Sequence, residues 1–162
     1  MKKQYCSTLI ASILLLTLSA CQTTKQQVVL SKKGALELRN IQSRIYETPD
    51  QSKVYRAVIS VMQDLGYAIT SIEPEAGVIS GNKLAQLDVT AAVNKRGTET
   101  TVVRANAIVK IGTHAQAVPH QVDSAEFYQQ RFFAPLSQAL FLDALYDDEI
   151  KMNKPKITKT QN

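Results

Sequence analysis

The side chains best able to do chemistry in this chain are few and widely spaced. His114 and His120 lie in "IGTHAQAVPHQVD", with Pro119 also in that stretch. A zinc site draws three or four ligands from Cys, His and carboxylates. Neither histidine stands near a cysteine or carboxylate cluster at such a spacing, so no metal and no cofactor is expected. Nucleophilic catalysis needs a nucleophile, a base and a group that orients the base. No serine, cysteine or histidine constellation of that kind can be assembled, so the chain does not read as an enzyme. What remains are two cysteines, Cys6 and Cys21, and a set of polar residues on alternating segments: Thr90, Asn94, Arg104 and Asn106.

Cys21 closes a distinctive stretch. Met1-Lys2-Lys3 is followed by the apolar run Leu9 to Leu16 and then by "LTLSAC". The run is too short to cross a hydrocarbon core about 30 Å thick, which takes about 20 residues, and has the shape of a secretory leader. Leu18-Ser19-Ala20-Cys21 resembles the lipobox of bacterial lipoproteins: a branched apolar residue, two small residues and a cysteine. That resemblance implies cleavage before Cys21, a thioether-linked diacylglycerol on its sulfur and an acyl chain on its new amino group. Two or three chains anchor stably where one is marginal. The family's sorting rule, with Gln22 rather than aspartate after the cysteine, implies the periplasmic face of the outer membrane.

Removing the leader takes Lys2 and Lys3 with it and lowers the formal charge from +5 to +3. So mild and scattered an excess, in such a compartment, argues against nucleic acid as a partner. Cys6 departs with the leader and Cys21 is acylated, which leaves no disulfide. The expected organisation is a leader over 1–20, a lipidated cysteine and flexible tether over 21–38, one domain over 39–146 and a polar tail over 147–162.

Within the domain, a short mixed run with Ile41, Arg44 and Ile45 reads as a first strand ending at Glu47. Thr48 as N-cap, Pro49 in the first turn and Gln51 as the partner of a capping box start a helix. Its apolar stripe is Val54, Ala57, Val58, Val61, Met62 and Leu65, and Gly66 ends it. Strands follow at Tyr67 to Ile72 and Val78 to Lys83, joined by Pro74 to Gly77, with Gly81 marking a bulge or a strand end. Leu87 to Asn94 and Val102 to Val109 alternate with period two and form a hairpin. Keeping both apolar rows on one face requires paired residue numbers with an even sum, hence an odd loop; three residues around Gly97 fit best. The histidine-bearing stretch reads as a loop. Asp123 to Glu126 starts a final helix that buries Phe133, Leu136, Leu140, Phe141 and Ala144, with Pro135 kinking or restarting it.

The expected fold is therefore α+β: an antiparallel sheet of about five strands in the order β-α-β-β-β-β-α, with both helices on one face. It is similar to helix-grip modules. The stretches "IQSRIYETPDQSKVYRAVISVMQDLGYAITSIEPEAGVISGNK" and "FYQQRFFAPLSQALFLDAL" resemble a group of small proteobacterial lipoproteins, and the architecture has some similarity to the domains of the C lipoprotein of the barrel-assembly machinery. The uncovered sheet face would display Thr90, Ala92, Asn94, Val102, Arg104, Asn106 and Ile108. Arginine combines a forked donor with a stackable plane and is common at interface centres. Arg104, with Asn106, Thr90 and Asn94, is the candidate partner-binding site; the competing reading pairs Arg104 with Asp88. The expected role is a non-catalytic interaction or accessory subunit of an envelope assembly, secretion or efflux machine, with the membrane lipid and an envelope protein as partners. The alternative is a binder of an apolar ligand or cell-wall fragment between sheet and C-terminal helix.

Overall fold

The computed structural model describes residues 27–113 and 116–141. Cys21, His114, Ala144 and the tail over 147–162 lie outside them. The elements are α1 (Ala35–Gln42), β1 (Ser43–Tyr46), α2 (Gln51–Asp64), β2 (Ala68–Glu73), β3 (Val78–Lys83), β4 (Leu87–Arg96), β5 (Thr100–Ile111) and β6 (Val118–Gln121). The last helix is built as α3 (Ala125–Tyr128), a π turn (Gln129–Phe133) and α4 (Ala134–Leu140). The class is α+β, and the antiparallel sheet has six strands in the order β1-β5-β4-β3-β2, with β6 also on β5. No helix among the described residues is long and apolar enough to cross a membrane.

The central hairpin follows the expected register. Val93 faces Val103, Ala91 faces Ala105 and Arg96 faces Thr100, which leaves the three-residue loop Gly97-Thr98-Glu99. Gly97 takes φ +66, the left-handed conformation such a loop needs at one position. Val89, Ala91, Val93, Val103, Ala105 and Ala107 are buried beneath Val54, Val58, Val61 and Met62 of α2 and Phe132, Phe133, Leu136 and Leu140 of the last helix. Both long helices thus share one face.

Several expectations are corrected. The N-cap of α2 is Asp50, whose carboxylate accepts from Lys53 N at 2.8 Å, while Thr48 Oγ1 accepts from Asp50 N. The aspartate is the stronger acceptor at a helix start, so the cap lies two residues later than the capping box suggested. The irregularity near Gly81 falls on β2, between Ile69 and Ser71. Gly81 sits in a tight place: a Cβ there would meet Met62 Cε at 2.8 Å, a flexible end that can give, and the less yielding Ala68 O at 3.2 Å. Phe141 is not core: it ends α4 with φ +55 and is 93% exposed. The π turn sits where Pro135, which lacks an N–H, would crowd the carbonyl of Arg131 four residues back; the wider turn relieves that clash. The final helix starts within Asp123 to Glu126 as expected, and Ser124 caps it, accepting from Phe127 N at 3.2 Å.

The sixth strand, β6, lies in the stretch read as a loop, and α1 lies partly in the stretch read as tether. The tether expected to run to residue 38 is also shortened: Val29 forms a parallel bridge with His120, donating to Pro119 O at 2.8 Å and accepting from Gln121 N at 2.9 Å. Ser31 Oγ then donates to Asp123 at 2.8 Å. The segment adds a piece of strand to the outer edge of β6.

Candidate functional site

Alternation places Thr90, Asn94, Arg104 and Asn106 together on the face opposite the core, as the register requires: Arg104 lies across from Ala92 and Ser43, Asn106 from Thr90, and Asn94 from Val102. Their circumstances differ. Thr90 shares a hydrogen bond of 3.1 Å with Ser80 on β3. Asn94 is exposed.

Asn106 belongs to a structural network. Its Oδ1 accepts from Gln42 Nε2 and from Gln121 Nε2, each at 3.3 Å. Gln42 Nε2 also donates to Tyr128 Oη at 3.1 Å, and that hydroxyl accepts from Ala107 N at 3.1 Å and donates to Val122 O at 2.9 Å. The reason lies in the topology. β1 ends opposite Arg104 and β6 begins its pairing at Ile108, so the β5 edge between them lacks a strand partner. Buried backbone groups must be paired: Val122 N donates to Ala107 O at 2.9 Å, and the Tyr128 hydroxyl bridges the other two groups, Ala107 N and Val122 O, which a regular ladder would pair directly. Asn106 steadies that plug.

Arg104 stands differently. Its Nε donates to Ser43 Oγ at 3.2 Å. Asp88 is not its partner: that carboxylate meets Lys110 Nζ at 2.9 Å and accepts from Asn82 Nδ2. Desolvation pushes Asp88 up, but the hydrogen bonds from Asn82 and Lys110 and the lysine charge outweigh it, so its pKa lies below the ordinary carboxylate value. Among the described residues no carboxylate is within ion-pair distance of Arg104.

Around Arg104 the structure gathers residues that sequence spacing did not connect. A cleft of about 260 Å³ is lined by Arg39 and Asn40 of α1, Ser43 and Ile45 of β1, Arg96 of β4, and Val102 and Arg104 of β5. Ile45 lies on this face, opposite Val102, yet is 1% exposed and forms the floor. Three guanidinium groups thus border an apolar floor, and the lining holds no acidic side chain. Such a site suits a carboxylate or similar anion carried on an apolar or flat group, because arginine offers two parallel donors and a stackable plane. The chain matches no protein-family model and none of the curated proteins with which it was compared.

Arg44, one residue before Ile45, points to the opposite side and is buried. It donates to Asn40 O at 2.9 Å, Ser43 O at 2.7 Å and Gln129 Oε1 at 2.9 Å, with its guanidinium 4.8 Å from the Phe133 ring centroid. It caps the last carbonyls of α1 and so holds Arg39 and Asn40 over the cleft. The period-two rule gives its side, but α1 had to be seen before this role could be read. Among the described residues no group of three His, Cys, Asp or Glu side chains could hold a metal ion.

Proposed function

We propose that this chain is a lipoprotein, anchored through acylated Cys21 in the periplasmic leaflet of the outer membrane, whose domain is a non-catalytic interaction or accessory subunit of an envelope assembly, secretion or efflux machine. The observation that carries the interaction reading is the arginine-bordered cleft on the sheet face opposite the two long helices, with α1 at its rim. A surface with Arg39, Arg96 and Arg104 around Ile45 and Val102 combines desolvated apolar area with charged donors, the makeup of an interface centre. It favours a protein partner that presents an acidic side chain, or a chain terminus, beside an apolar one. The anchor is supported by the lipobox resemblance and by the leader-like run before it.

In-cell crosslinking followed by mass spectrometry tests the reading. It should return one defined envelope protein joined through residues of β1, β4 or β5; a protein that crosslinks only to abundant bystanders would contradict it.

The apolar-ligand alternative has one specific observation in its favour. A second cleft, about 340 Å³, opens between the end of the sheet and α3, lined among others by Leu65, Tyr67, Leu87, Val109 and Phe127. The space between sheet and helices deeper in is filled by the core side chains. An apolar ligand would therefore sit in this end cleft and not deeper between sheet and helix.

A further inference from the structure

The second cleft belongs to one end of the domain, where the C-terminus of α2, the β3–β4 turn and the junction of β5 with β6 come together. The apolar row of β5, buried at Val103, Ala105 and Ala107, continues past the helices through Val109 to Ile111, which is 57% exposed. Its cross-strand partner Val118 is 38% exposed. The adjoining turn projects Leu84, 83% exposed, from a backbone in which Leu84 and Ala85 both take φ +55. Tight turns of this conformation normally use Asn or Gly, so the outward leucine is held there against local preference. Lys83 and Arg131 border the cleft beneath it.

The chain also enters the described fold at this end. Because Val29 runs parallel to β6, residues 28 and 27 lead back toward Val118 and away from Gln121. Only seven residues, 22–28, separate Cys21 from Val29, and a fully extended chain of that length spans at most roughly 25–30 Å. An anchor on Cys21 would hold this end, rather than the Gly97–Glu99 turn at the other, close to the bilayer.

We propose that this end lies directly on the phospholipid surface, with Leu84, Ile111 and Val118 at the boundary of the acyl region and Lys83 and Arg131 among the phosphates. The proposal rests on the lipid-anchor reading. Exposed aliphatic side chains beside cations are the makeup of an interfacial membrane contact. A short tether makes such contact effectively intramolecular, so weak contacts suffice. The carboxylates nearby are Asp64 at the end of α2, Asp88, which pairs with Lys110 and accepts from Asn82, Asp123, which accepts from Ser31, and Glu126. With this end on the membrane, the arginine-bordered cleft faces sideways and stays open to a partner.

The chain contains no tryptophan, so a single introduced one reports its own surroundings. Leu84→Trp, Ile111→Trp and Thr98→Trp would each be placed in the full chain, processed in cells and reconstituted into vesicles of phosphatidylethanolamine and phosphatidylglycerol with brominated acyl chains. Circular dichroism would confirm that each variant folds. The expected result is flotation of all three with the vesicles, loss of emission by bromine quenching at positions 84 and 111, and none at 98. Flotation without quenching at 84 and 111, or with equal quenching at all three, would overturn the docking while leaving the anchor intact. Failure to float would overturn the anchor and the docking with it.

Discussion

Tyr46 carries a buried hydroxyl with no hydrogen-bond partner of adequate geometry, although the Ser137 hydroxyl, which donates to Phe133 O at 2.9 Å, is its neighbour. Burial pushes its pKa up to about 12, with Ser137 and Arg44 only partly opposing. An unfolded tyrosine ionises near 10, so the stability tied to the neutral folded form is complete below pH 10 and is lost as pH rises through 12. Tyr46→Phe should keep or raise the melting temperature at neutral pH, since an unsatisfied buried hydroxyl costs about 1–3 kcal/mol. It should also flatten the fall in stability between pH 10 and 12. Thermal melts across that range check both, and a variant markedly less stable at pH 7 would show that the hydroxyl is bonded after all. At the same scale, the placement of Arg104 on the open face was legible from period two alone, whereas its neighbours were not. Arg39 and Ile45 reach it through a helix and a strand pairing that lie about 60 residues away along the chain, a distance no local pattern spans.

At the scale of elements, the two hairpin glycines separate conformational need from steric need. Both have positive φ, but a Cβ on Gly77 would lie 2.3 Å from Val93 O, whereas one on Gly97 meets nothing within 4 Å. Gly97→Ala should cost about 1–2 kcal/mol, the left-handed penalty alone, and Gly77→Ala distinctly more or fail to fold. Equal melting temperatures for the two would refute the close approach of the β2–β3 turn to β4. On α2, Val58→Asp would bury an unpaired charge in the core and should cost roughly 3–5 kcal/mol; a denaturant titration showing wild-type stability would mean the helix faces the other way. The elements foreseen from sequence were β1, α2, β2, β3, the β4–β5 hairpin with its register and the last helix, and all but the short β1 carry sustained periodicity. The unforeseen ones lack it. β6 is four residues with Pro119 inside, acceptable because it pairs near the sheet edge. α1 buries only Gln42 and starts at Gly34 without a side-chain cap, so neither an apolar stripe nor an N-cap residue announced it. Pro135 did announce a break, but the π turn that absorbs it depends on packing of Phe132 and Phe133 against the core.

For the whole molecule, the α+β class follows from the order of periodic segments, while the closure of the β5 edge by Tyr128, Gln42 and Asn106 depends on contacts between distant segments. The anchor rests on sequence: Cys21→Ser should abolish palmitate incorporation and leave unprocessed precursor, and a variant that is labelled and fractionates normally would remove it. The central proposal is that the sheet face opposite the two long helices receives a protein partner at its arginine cleft. Its most direct measurement compares in-cell crosslinking of wild type and Arg104→Glu, both checked for unchanged circular dichroism and melting. The reversal puts a carboxylate where a partner's acidic group should sit, and like charges at an interface centre cost several kcal/mol. The predicted result is a folded variant whose crosslink to the wild-type partner is gone; a folded variant that crosslinks to that partner as wild type does would contradict it.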